Sequence, residues 1–305
     1  MGGSSVLVQG LQAGFATFQN RDNAWKARRC YLLLVMDFAE FELYTHSLGY
    51  VIQRPVGRGG MAEVFQAKDV RTGQTVALKR LHAPDERLRA RFVREARLLQ
   101  RLHHEHLVHG LAMFEAEPTF LVMNLVDAPS VAQRAGQGDF LSEADAWIIL
   151  RQMASALVYL HSESVIHRDL KPANVLFSRE ARKAWLCDLG IAKEVDATRL
   201  TATNEAVGTL LFLAPEVFTG QEAGEPLDLY GLGATLYAGL AGRPPFLAAS
   251  SDPYALIRKI VKEQTPDIRR LRPEISRQLQ EVLDALLAKD PANRPLPSEL
   301  LASRA

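Results

Sequence analysis

The chain has 305 residues, 48% of them hydrophobic and 23% charged, with a formal net charge of +1. That length suits one large domain or two modest lobes, and so neutral a balance gives no footing for nucleic-acid binding or electrostatic docking to a membrane. Two cysteines, Cys30 and Cys187, are too few for a disulfide framework and suit no zinc site, so a cytoplasmic setting is expected; no apolar run approaches the ~20 residues of a membrane helix.

Residues 1–46 stand apart as an N-terminal extension whose role the residues do not reveal. The first twenty, rich in Gly, Ser and Gln, predict weak order, and RRCYLLLVMDFAEFELYTHS then predicts one or two short strands. From Gly49 the texture changes. YVIQRPVGRGGMAEVFQAKDV and QTVALKRL are β-branched runs separated by Gly-rich turns, the pattern of an antiparallel sheet. PDERLRARFVREARLLQRL follows with Leu88, Phe92, Ala96 and Leu99 near helical spacing. FLVMNLV predicts another strand. Beyond about residue 140 the chain reads as mainly helical: SEADAWIILRQMASALVYLHS, opened by a capping box of Ser142 and Asp145, then LDLYGLGATLYAGLAG and ISRQLQEVLDALLAKD. A small β-rich lobe therefore precedes a larger helical one.

Several segments carry chemistry. Gly57-Arg58-Gly59-Gly60-Met61-Ala62-Glu63-Val64 lies between two strands, and its glycines allow backbone N–H groups to approach phosphates. Lys79 sits on an apolar strand, where its charge needs a partner; Glu95, sixteen residues on in the predicted helix, can supply one. The densest segment is VIHRDLKPANVLF, Val165 to Phe177. There Asp169 can accept a proton from a hydroxyl, Lys171 can neutralise a transferring phosphoryl group, and Asn174 can offer an oxygen to a metal ion. Asp188-Leu189-Gly190 adds a second acidic group at a strand end, and an Asp with an Asn meets the needs of Mg²⁺ on a nucleotide. Ala214-Pro215-Glu216 follows, then Asp228, Gly231, Gly233 and Arg294 in apolar helical surroundings.

From about Gly49 to the C-terminus these blocks, in this order, resemble the eukaryotic-type Ser/Thr protein kinases; the GRGGMAEV loop and the DLG variant look most like the bacterial branch. The resemblance implies an α+β, bilobal kinase domain over 47–305, with an N-lobe at about 47–123, a hinge at about 124–130 and a C-lobe at about 131–305. It implies transfer of the γ-phosphate of Mg-ATP to Ser or Thr of protein substrates. The ATP site would take Val56, Gly57, Gly59, Gly60, Met61 and Val64 from the glycine loop, with Ala77, Lys79, Met123, Leu176 and the backbone of Asn124 to Val126 around the adenine. Lys79, held by Glu95, would grip the α- and β-phosphates. Asp169 would be the base, Lys171 would steady the γ-phosphate, and Asn174 and Asp188 would bind Mg²⁺. Thr209 would bond Asp169 and Lys171, and Glu216 would pair with Arg294.

The same resemblance points to regulation. Thr201 and Thr203 are the expected autophosphorylation sites, by self-association in trans, with Arg168, Lys193 and Arg91 as the basic groups that would receive the phosphate; Glu205 is the competing fixed anion. Some positions depart from the family pattern. Ala62 replaces a loop glycine, Leu189 replaces the usual Phe as an apolar plug, and Leu210 and Phe212 stand where Pro and Tyr are common. His103, His104, His106 and His109 are read as loop residues and not a metal site, and Cys187 as a small buried hydrophobe. Two other readings stand beside the active kinase: a pseudokinase acting as a binding module, and a small-molecule kinase. The first conflicts with an intact Lys79, Asp169, Asn174 and Asp188; the second with the Lys171-Pro172 pair and the Ala214-Pro215-Glu216 segment.

Overall fold

The computed structural model describes residues 38–59, 61–82, 85–190, 208, 210–221, 224–247 and 252–302. They divide into two units, one comprising residues up to Arg54 with Ala67–Gln74 and the other Pro55–Gln66 with everything from Thr75 on.

In the first unit, residues 38–47 are helical (α1), which corrects the strand expected there. Phe41 and Thr45 are both buried, and a spacing of four puts them on one helix face, while Ala39, Glu40, Glu42 and Leu43 are good helix formers. Gly49 ends the turn at φ +87, a left-handed value that favours glycine. Arg71 then donates to both Asp69 carboxylate oxygens at 3.0 Å and to the Tyr50 hydroxyl at 2.7 Å. Residues 28–37 of the expected strand region lie outside the described residues.

The division falls within the first two strands of the sheet, and the second unit holds most of the chain. Strands β1 (Tyr50–Arg58), β2 (Ala62–Asp69), β3 (Thr75–Leu81), β4 (Gly110–Phe114) and β5 (Phe120–Asn124) form a sheet in the order β1-β2-β3-β5-β4. The β3–β5 ladder is antiparallel and sets Ala77 opposite Met123 and Lys79 opposite Leu121. Helix α2 (Glu86–Arg101) starts at Asp85, whose carboxylate accepts from the Arg87 and Leu88 N–H groups. Its core face is Phe92, Ala96 and Leu99, as the spacing predicts, with Leu88 half-buried.

Helices α3 (Val131–Gly136) and α4 (Glu143–Ser162) precede a two-stranded ribbon, β6 (Val175–Ser178) and β7 (Lys183–Leu186). The Ser142–Asp145 capping box is formed in both directions. After α5 (Glu216–Thr219) comes α6 (Pro226–Ala241), which is buried on every side from Leu227 to Leu240, as a helix apolar all round should be. Helices α7 (Pro253–Lys262), α8 (Arg277–Leu286) and α9 (Pro297–Leu301) complete the unit. Gly231 fixes how closely α6 approaches the segment before β6: a Cβ there would sit 2.7 Å from the Leu170 carbonyl oxygen. No helix among the described residues is long and apolar enough to cross a membrane.

Candidate active site

Lys79 leaves β3 on the same face as Ala77. Its ammonium donates to Glu95 of α2 at 2.9 Å and to Asp188 at 2.8 Å. A strand lysine in apolar surroundings thus has the carboxylate partner its sequence context demands, and a second besides. Burial would pull its proton off, but the charges of Asp188 and then Glu95 outweigh that and hold Lys79 above the ordinary lysine range. Burial likewise pushes the Asp188 carboxyl up, and Lys79 more than reverses it, so Asp188 is held below its usual range. Only one Asp188 oxygen is used by Lys79, and the side chain is 44% exposed.

The segment from Val165 to Asn174 is held by contacts that no local pattern announces. His167 is fully buried; the Asp169 N–H donates to its Nδ1 at 3.3 Å, so its proton is on Nε2 and goes to the Cys187 carbonyl at 3.2 Å. Burial lowers the His167 pKa, which agrees with a neutral ring. Asp228, at the start of α6 and fully buried, accepts from the backbone N–H groups of His167 at 2.9 Å and Arg168 at 2.8 Å, and lies 3.0 Å from His161 Nε2. Arg168 has φ +64 and Asp188 φ +57, strained values that for non-glycine residues cost on the order of 1–3 kcal/mol each and persist only where neighbours enforce them. The Asp228 carboxylate is that enforcement for Arg168.

Around Asp169 the groups converge. Asn174 Nδ2 donates to the Asp169 carbonyl at 2.8 Å and to its carboxylate at 3.0 Å, and the Lys171 ammonium is 3.0 Å from the same carboxylate oxygen. Gly190 must be glycine, because a Cβ there would lie 2.5 Å from the Asp169 Cβ. Leu189 is buried as an apolar plug. Cys187, read as a small buried hydrophobe, is half-buried and packs against the core; burial pushes its thiol well up, and its Sγ lies 3.4 Å from the Asn174 carbonyl. Glu216 and Arg294 form a two-pronged pair at 2.6 and 2.8 Å, with side chains 1% and 0% exposed.

Of the residues expected around adenine, Ala77 and Met123 are buried in the main core, with Val64, Val126 and Leu176 packed against it. Val56 and Met61 are exposed; Gly57 has open space around its Cα, and the Gly59 N–H donates back to Ala62. The Asn124 N–H donates to the His109 carbonyl at 3.0 Å, so of its backbone groups the carbonyl is the one left to face a base. Among the described residues the Val126 N–H has no backbone partner. Gly60, Lys193, Thr201, Thr203, Glu205 and Thr209 lie outside the described residues. The four histidines tie their loop to its neighbours: ring nitrogens of His103, His109 and His106 meet the Arg101, Leu102 and Ala184 carbonyls, and His104 meets Ser155.

A family model for the protein kinase domain matches residues 50–304. The chain belongs to the protein kinase family. The serine/threonine-protein kinase PknJ of Mycobacterium tuberculosis is 37% identical over 254 residues, 81% of this chain and 43% of that protein. PknD of the same species is 38% identical over 250 residues, 80% of this chain and 37% of that protein. The probable serine/threonine-protein kinase PknB of Lactococcus lactis is 37% identical over 251 residues, covering 80% and 39%. Such relatives put this kinase in the bacterial branch of the eukaryotic-type Ser/Thr family. It spans less than half the length of these curated relatives. Among solved structures, Rad53 1-466 in complex with AMP-PNP matches with a TM-score of 0.70 at 27% identity, over 83% of this kinase and 64% of that chain.

What the sequence reading of this kinase named without giving a role is mainly Asp228. One signal was there: an aspartate inside an apolar helix is too costly to leave without donors.

Proposed function

We propose that the protein is a Ser/Thr protein kinase that transfers the γ-phosphoryl group of Mg-ATP to a Ser or Thr hydroxyl of a protein. The observation that carries this reading is the convergence of Lys171 and Asn174 on the Asp169 carboxylate, within 3.0 Å each, in a chain that also joins Lys79 to Glu95 and Asp188. The pseudokinase reading has no lost side chain to rest on.

The residues fit a magnesium ion. Asn174 spends its amide nitrogen on Asp169, which leaves its carbonyl oxygen, and Asp188 keeps an oxygen that Lys79 does not use. One carboxylate and one amide oxygen make the hard, sparse donor set that Mg²⁺ completes with water and phosphate. When bound, the ion would neutralise charge on the phosphate oxygens. The rest is done by side chains. Lys79 orients the α- and β-phosphates, and Asp169 aligns the acceptor hydroxyl and takes its proton as the oxygen bonds to the γ-phosphorus. The bond to the β–γ bridging oxygen breaks and ADP leaves, while Lys171 offsets the charge on the transferring group. Arg168, Asp169, Leu170, Lys171, Phe212 and Leu213 line a small recess where the acceptor segment would lie.

Asp188→Ala is expected to remove the Mg²⁺ dependence of ATP binding. Thermal-shift titrations with ATP, with and without Mg²⁺, check this, and an unchanged Mg-ATP shift in the variant argues against Asp188 as the ligand. A finer part of the proposal concerns Thr201 and Thr203 as autophosphorylation sites reached in trans. A phosphothreonine adds about −1.5 to −2 charge and three strong acceptors, suited to Arg168, Lys193 and Arg91. Thr201→Ala/Thr203→Ala is expected to lose most activity on an added substrate while still binding Mg-ATP. Full activity would hand the role to Glu205.

A further inference from the structure

Helix α2 carries six arginines in its 16 residues: Arg87, Arg89, Arg91, Arg94, Arg97 and Arg101. Arg89 and Arg97 have partners, the first in the Glu115 carbonyl and, at 3.3 Å, the Glu117 carboxylate, the second in the Glu115 carboxylate at 2.7 Å. Three others recur every seventh residue. At 3.6 residues per turn, Arg87, Arg94 and Arg101 fall along one line of the helix, roughly 10 Å apart and about 21 Å end to end. That line runs opposite Phe92, Ala96 and Leu99, and all three arginines are exposed. Among the described residues none of their side chains makes an ion pair.

A merely solvated helix face would not be built this way. Exposed helices gain a few tenths of a kcal/mol from alternating charges four apart, and this chain does that elsewhere: Arg277 pairs with Glu281 at 2.9 Å and Lys259 with Glu263 at 3.8 Å. On α2 the outward line is of one sign. Only Arg101 stands where the helix dipole favours a cation; Arg87 is in the first turn, where the dipole opposes it. All three are arginines, whose planar forks match carboxylates in pairs of hydrogen bonds.

We propose that the outward face of α2 is a docking surface for an acidic protein segment, with carboxylates spaced along a helix to meet Arg87, Arg94 and Arg101. The same helix carries Glu95, so an occupant would rest on the back of the element that holds Lys79.

The test needs no assumption about phosphoryl transfer. A labelled alanine-rich helical peptide with glutamates at three positions seven apart is titrated with the protein by fluorescence anisotropy. A peptide with glutamine at those positions serves as the control. Wild type is expected to bind the glutamate peptide at least tenfold more tightly than the glutamine one, and to lose that preference as salt rises from about 0.05 to about 0.3 M. Arg87→Gln/Arg94→Gln/Arg101→Gln is expected to lose at least tenfold in affinity for the glutamate peptide, with Arg277→Gln unchanged. Glutamine suits a helix surface, and a melting curve checks that the triple variant is folded; if it is not, the two-peptide comparison on wild type still decides. Equal binding of both peptides, or of wild type and the folded triple variant, overturns the proposal. So does binding of wild type to phosphatidylserine vesicles without binding of the glutamate peptide, which would assign the stripe to a lipid surface.

Discussion

Asp169→Asn is expected to lower phosphorylation of a protein substrate by about 10²–10⁴-fold, the usual loss when a general base is removed. The substitution keeps the side chain's shape. It removes the anion that Lys171 faces at 3.0 Å and replaces an acceptor oxygen with an N–H₂ group beside Asn174. Because Asp169 does not reach Lys79 or Asp188, ATP affinity should change little, so the loss should appear in kcat. A steady-state assay with Mg-ATP and a generic basic protein separates the two. Wild-type kcat in the variant would remove Asp169 from the chemistry.

The largest stability effect is expected at Arg294. Its guanidinium holds both Glu216 oxygens, stacks over Tyr230 at 5.1 Å and donates to the Ala288 and Pro226 carbonyls. Arg294→Ala leaves a carboxylate buried to 1% exposure without its partner, and breaking a buried pair from one side typically costs about 3–5 kcal/mol. Chemical denaturation should show a loss of that size. Glu216→Leu/Arg294→Met should recover much of it, since apolar replacement of both partners removes the desolvation cost as well. A loss under about 1 kcal/mol in Arg294→Ala would mean that the pair behaves like an exposed one.

Much of this could be read in the sequence because the chemistry is local there. Asp169, Lys171 and Asn174 fall within one short loop, so their spacing alone announces that they meet, although distant contacts hold the loop in place. Lys79 and Glu95 were legible as a pair because a charged lysine on an apolar strand needs a partner and Glu95 falls within reach on the next helix, whereas the lysine's second partner, Asp188, lies 109 residues away. The Ser142 capping box and the apolar face of α2 follow from spacing alone. What could not be read depends on distant contacts. Asp228 reaches His167 across 61 residues and also holds the N–H of Arg168, whose backbone is left-handed. The Asn124 N–H is taken by His109 through the pairing beside β4, which the hinge motif does not reveal. Residues 38–47 were misread because Phe, Leu and Tyr at short intervals satisfy a strand pattern as well as a helical one, and only the burial of Phe41 with Thr45 separates them.

The central claim is that these side chains move a phosphoryl group and do more than hold a nucleotide. Purified protein incubated with Mg-ATP and a mixed protein substrate, then mapped by mass spectrometry, tests it most directly. Phosphate on Ser and Thr, absent with Asp169→Asn, is the predicted result. Tight Mg-ATP binding with no phosphate on any protein residue would contradict the account and make the chain a nucleotide-binding module.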